Sequence, residues 1–161
     1  MHNGRVKIIT GLRRCGKSYL LFNLFARYLR GNNISDDQII SLTLYDFSNA
    51  GLRDPFALHR YLKDKISDNS KQYYILIDEI QLVDEVKNPY VNYPTAKLTF
   101  VDFLLEFIKL KNVDLYVTGS NAKRLSSDVL TQFRDRGDEI RLYPISFAEL
   151  NEVYQGERRN M

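Results

Sequence analysis

A single cysteine and two histidines are all that 161 residues offer of the side chains that most often build disulfides and metal centres. Cys15 has no internal partner for a disulfide, which agrees with a reducing compartment, and His2 with His59 gives no cluster at metal-ligand spacing. Long apolar runs are missing too. The apolar stretches fall far short of a membrane span and the N-terminus has no apolar signal core, so the expectation is a soluble, cytoplasmic chain with no membrane partner. Charge of one sign is also scarce. Lys and Arg number 23 against 20 Asp and Glu, and the net charge of +3 makes no whole-domain electrostatic case for nucleic acid. No internal repeat is visible.

What is present fits one domain over residues 1–161, with 44% apolar residues to form its core. Strand-like and helix-like segments alternate, which argues for a parallel sheet with helices on both faces. Strands are expected at 6–9, 38–45, 73–77, 113–117 and 139–143. Leu20, Leu21, Leu24, Phe25, Tyr28 and Leu29 recur at helical spacing, and Gly31-Asn32-Asn33 supplies the stop. Asp54-Pro55 reads as an N-cap and first helical residue, with Leu58, Tyr61, Leu62 and Ile66 on the buried face. An apolar helix is expected over 98–110, a short one capped by Ser126, and a last one opened by the box Ser146-Phe147-Ala148-Glu149. Two prolines in the segment Asn88 to Thr95 argue for an exposed loop.

Between the first strand and first helix lies Gly11-Leu12-Arg13-Arg14-Cys15-Gly16-Lys17-Ser18, which meets every fixed position of the P-loop pattern G-x-x-x-x-G-K-[ST]. Glycines let backbone N–H groups turn around a β-phosphate, and the helix N-terminus adds its dipole. Lys17 reaches the β and γ oxygens, and Ser18 offers a hydroxyl to Mg²⁺. The nucleotide-contacting run is expected to span Gly11, Leu12, Arg13, Arg14, Cys15, Gly16, Lys17, Ser18 and Tyr19. The strand Tyr73 to Ile77 ends in Asp78-Glu79, a Walker B pattern. Asp78 would hold Mg²⁺ and Glu79 would polarise the attacking water.

Two further constellations complete the reading. In Val117-Thr118-Gly119-Ser120-Asn121, Ser120 or Asn121 would contact the γ-phosphate or the lytic water in the sensor 1 position, or would cap a helix. Arg134 and Arg136, between a short helix and the last strand, would reach a neighbouring subunit's γ-phosphate. Alternatively they form a surface turn, paired with Asp135, Asp138 or Glu139.

These stretches, with Ile77-Asp78-Glu79-Ile80-Gln81 and Arg141-Leu142-Tyr143-Pro144-Ile145-Ser146-Phe147-Ala148-Glu149, resemble the AAA-type ATPase domain of a large group of bacterial and archaeal ATP-binding proteins. The resemblance implies an α/β P-loop NTPase of AAA type, a three-layer αβα sandwich on a five-stranded parallel sheet. It also implies ATP with Mg²⁺ and a cytoplasmic setting; a homo-oligomer of the full-length protein stays open, and the isolated chain is expected to be largely monomeric. By the same likeness the chain is an N-terminal ATPase fragment without its C-terminal lid and effector region, and the adenine-holding segment is reduced to Met1 to Gly4. Asp135 stands where a Gly often separates the paired arginines.

The function expected is Mg-dependent ATP hydrolysis, weak in an isolated fragment, that moves a C-terminal effector or a partner. The alternative is an ATP-binding switch or scaffold with negligible turnover. Small-molecule kinases share the P-loop, but adjacent Asp and Glu suit water better than a substrate hydroxyl. Nucleic acid stays open only through the Tyr90 and Tyr93 loop, whose other role is to cover a sheet edge.

Overall fold

The structure, a computed structural model, describes residues 4–93, 95–119, 136–146 and 149. Five strands form its main sheet: β1 (Val6–Gly11), β2 (Ile39–Thr43), β3 (Tyr73–Asp78), β6 (Val113–Thr118) and β7 (Gly137–Leu142). Their order is β2-β3-β6-β1-β7, and every neighbouring pair is parallel. Two short strands, β4 (Val86–Lys87) and β5 (Lys97–Leu98), pair antiparallel as a separate ribbon. Each of the five expected strands is found within two residues of its expected place.

Alternation along the strands sends side chains to two faces, and both are covered. One face carries Ile8, Leu42, Ile75, Ile77 and Val117, packed with Leu58 and Leu62 of α3 (Pro55–Lys65) and Leu104 and Phe107 of α4 (Phe100–Phe107). The other carries Ile9, Leu76 and Tyr116, packed with Leu21, Ala26 and Leu29 of the first helix. That helix runs as α1 (Lys17–Tyr19), a π-helical stretch Leu20–Phe25, and α2 (Ala26–Gly31). The wider π turn directly follows the P-loop pattern, a placement common near functional sites. Leu24 and Tyr28 are exposed, and Phe25 packs its ring 4.5 Å from that of Tyr116. On the same face the Lys7 ammonium meets the Asp114 carboxylate at 3.0 Å, so two buried charges on adjacent strands compensate each other. Burial, helped by the Asp114 charge, pushes the Tyr116 and Tyr74 hydroxyls above their ordinary range.

Local signals set the helix ends. The Asp54 carboxylate accepts from the N–H groups of Phe56 and Ala57, with Pro55 at the first helical position. Asn33, at φ 62°, takes the left-handed geometry that stops α2. The helix expected over 98–110 is shorter, because Leu98 belongs to β5 and Thr99 forms a capping box with Asp102. The proline-containing loop is the tip of the β4–β5 ribbon, closed by the Asn88 N–H on the Ala96 carbonyl at 2.8 Å. Tyr90 and Tyr93 on it are exposed. The Ser146–Glu149 box is formed, with the Ser146 N–H and hydroxyl each 2.8 Å from Glu149 Oε2. The helix expected after Ser126 lies outside the described residues.

Candidate functional site

Because the strands are parallel, β1 and β3 end on the same edge of the sheet, with β6 between them. The P-loop pattern leaves β1 there and Asp78-Glu79 leaves β3 there, which is where open α/β sheets bind ligands.

The loop is shaped by two glycines with positive φ, Gly11 at 151° and Gly16 at 96°. A Cβ on Gly11 would lie 2.4 Å from the Leu142 carbonyl oxygen and 2.8 Å from Cys15 Sγ, so β7 leaves no room for a side chain. Leu12, Arg13 and Arg14 are exposed, and Cys15 is half-buried. Lys17 opens the helix with only 5% of its surface exposed. Its ammonium donates to the carbonyls of Gly11 (3.1 Å) and Leu12 (2.8 Å), so it is folded back over the loop it closes.

The acids meet this loop directly. The Ser18 hydroxyl donates to Asp78 Oδ2 at 2.7 Å, joining the expected metal-binding pair across the two motifs. Thr118, fully buried at the end of β6, donates its hydroxyl to Asp78 Oδ1 and accepts the Glu79 N–H at 3.2 Å. Glu79 takes left-handed geometry, φ 59° and ψ 51°, and its carboxylate accepts from the Gln81 amide. Arg13, Arg14, Lys17, Ser18, Tyr19 and Glu79 line a cleft of about 220 Å³. A larger hollow of about 540 Å³ lies beside edge strand β2 and includes none of the motif residues.

The oxygen donors fit Mg²⁺. One hydroxyl and one carboxylate already in contact match a hard cation that keeps most of its waters. The cationic side chains and glycine loop fit a phosphate chain.

The remaining expected residues are Ser120, Asn121, Arg134 and Arg136. Ser120, Asn121 and Arg134 lie outside the described residues. Arg136 is exposed just before β7, where its carbonyl accepts the Val6 N–H at 2.9 Å. It is therefore at the sheet edge opposite the P-loop, about 20 Å from Gly11 at roughly 3.3 Å per residue. The structure does not bring it to its own chain's cleft. Of the acids named for a surface turn, Asp138 binds Arg5 at 2.6 Å and Glu139 accepts from the Thr10 hydroxyl at 2.6 Å. Thr118 and Gln81 sit inside the quoted motifs, yet sequence assigned them no role. The signal for Thr118 is a hydroxyl residue ending a strand, which matters only once that strand is known to neighbour the Walker B strand.

Comparison with known proteins gives a consistent assignment. An uncharacterized protein of Haemophilus influenzae is 33% identical over 144 residues, which cover 89% of this chain and 32% of that protein. The chain spans about a third of the length of the curated relatives it matches. Among solved structures, Caenorhabditis elegans PCH-2 superposes with a TM-score of 0.60 at 16% identity, over 97% of this chain and 40% of that one. The DNA-packaging ATPase B204 of Sulfolobus turreted icosahedral virus gives 0.57 at 17% identity, over 96% and 83%. At these identities the likeness is one of fold, that of the P-loop NTPases. A family model described as an AAA domain matches residues 3–151, nearly the whole chain, and the chain belongs to that family.

Proposed function

We propose that the chain binds Mg-ATP at the P-loop cleft and hydrolyses it. The observation that carries this reading is the Ser18–Asp78 hydrogen bond at 2.7 Å, with Lys17 and Glu79 lining one cleft beside it. The cleft is smaller than the ~300–1,000 Å³ that enclose a drug-sized ligand. It suits the phosphate chain and leaves base and ribose to other surfaces. Lys17 would leave the Gly11 and Leu12 carbonyls and turn its charge to the β and γ oxygens. Ser18 and Asp78 would hold Mg²⁺, which would supply neutralisation of the charge that develops on the β- and γ-phosphate oxygens. Glu79, on the cleft wall, would orient a water for in-line attack and take up its proton. Ser120 or Asn121 would contact the γ-phosphate from the β6 side. Arg134 or Arg136 would serve the cleft of a neighbouring subunit in a homo-oligomer. Residues 1–161 would be the ATPase core, and the remaining length seen in the relatives would hold the part that ATP moves.

Titration calorimetry with Mg-ATP and steady-state turnover test the assignment. Lys17→Ala is expected to lose most triphosphate affinity, and Glu79→Gln to bind as wild type while kcat falls about 100-fold or more, the scale of general-base catalysis. Unchanged binding by folded Lys17→Ala overturns the site. Wild-type binding without turnover assigns a switch instead of an enzyme.

A further inference from the structure

Glu79 is a flexible side chain on a left-handed backbone position, and its terminal carboxylate accepts from the Gln81 amide. Gln81 is itself fixed. It belongs to the one-turn helix Ile80–Leu82, which is closed by the Leu82 N–H on the Glu79 carbonyl at 2.9 Å and the Val83 N–H on the Ile80 carbonyl at 3.1 Å. Ile80 is fully buried, and Leu82 packs against the same core cluster. The half-buried Gln81 amide therefore meets Glu79 from a turn pinned on both sides.

We infer that Gln81 is a positioning residue which aims the Glu79 carboxylate into the P-loop cleft. This rests on the reading of Glu79 as the group that orients water. Geometry gives the sign of the effect. With the Gln81 contact formed, Glu79 still lines the cleft beside Lys17 and Ser18, so the contact braces the cleft-facing position and does not withdraw the carboxylate from it. Nucleotide binding is carried by the P-loop side chains and the Gln81 contact is to Glu79, so the brace acts on the chemical step. Misplacement of a reacting group by about 1 Å costs on the order of 100-fold in rate.

The test is a double-mutant cycle in the protein as it occurs in the cell, with kcat and KM for ATP measured for wild type, Gln81→Met, Glu79→Gln and the pair. Gln81→Met keeps length and apolar stem and removes the amide donor. Its kcat is expected to fall about 10- to 100-fold with KM changed less than about twofold. The double variant should match Glu79→Gln alone, because the brace has nothing left to hold. Gln81→Glu retains the shape and places a carboxylate against a carboxylate. It should lose kcat as well, and it carries the test if the Met variant fails to fold. Unchanged kcat in the substituted protein, a raised kcat, or losses that multiply in the double variant would each overturn the brace. Failure of the ATPase reading looks different: Glu79→Gln would then turn over like wild type, whatever Gln81 does.

Discussion

Glu79 and Arg14 hold positive φ without being glycine, at 59° and 65°. Left-handed backbone costs an L-residue roughly 1–2 kcal/mol, so neighbouring contacts must hold it. For Glu79 the neighbour is Thr118, whose hydroxyl accepts the strained residue's N–H and donates to Asp78, tying both acids to the end of β6. Thr118→Val keeps the buried shape and removes both bonds. A hydrogen bond to a charged group contributes about 1.5–3 kcal/mol, so chemical denaturation should show a loss of that order, together with reduced turnover. Thr118→Ser should recover most of both. A Val variant as stable and active as wild type would show that the acids are held by other contacts.

At the level of elements, the helices on one face are joined by a charged clamp. His59 and Lys63 of α3 both reach Glu106 of α4 at 2.7 Å, beside ring contacts from His59 to Phe103 and Phe107. Hydrogen bonds from Lys63 and then His59 hold the Glu106 carboxyl below its ordinary value of 4.5. A depressed folded-state value means that the clamp contributes fully above about pH 4.5 and is lost as pH falls through the lower folded value. Glu106 is half-exposed, so the effect has the size of a surface pair, about 0.2–1 kcal/mol, or roughly 1–3 °C in Tm. Glu106→Gln should therefore melt below wild type at pH 6 and approach it at pH 3. A difference that stays constant over that range would assign the effect to packing.

For the whole molecule, strand order decides which residues can act together. Placing β6 between β1 and β3 puts Lys17, Ser18, Asp78, Glu79 and Thr118 on one edge and leaves Arg136 on the other. An arginine so placed is remote from its own chain's cleft, and the role proposed for it in a neighbouring subunit has a direct test. In the full-length protein, turnover per subunit should rise with concentration. Mixing Arg136→Ala with Glu79→Gln should restore activity at sites that receive both intact groups. If Arg134→Ala and Arg136→Ala both keep wild-type turnover at every concentration, the arginines belong to the surface.

The sequence by itself determined the five parallel strands, the P-loop and the paired acids, because apolar runs, glycine spacing and carboxylates after a strand are local signals that survive in one dimension. Capping at Asp54 and the Ser146–Glu149 box were legible for the same reason. The β4–β5 ribbon was hidden, since a two-residue strand is too short for a period. Only the tertiary structure decided that Leu24 and Tyr28 are exposed, that Lys7 and Asp114 neutralise each other in the core, and that Thr118 and Gln81 hold the acids. Each depends on which strand or turn lies beside which, and a chain read in order carries no record of its neighbours in space.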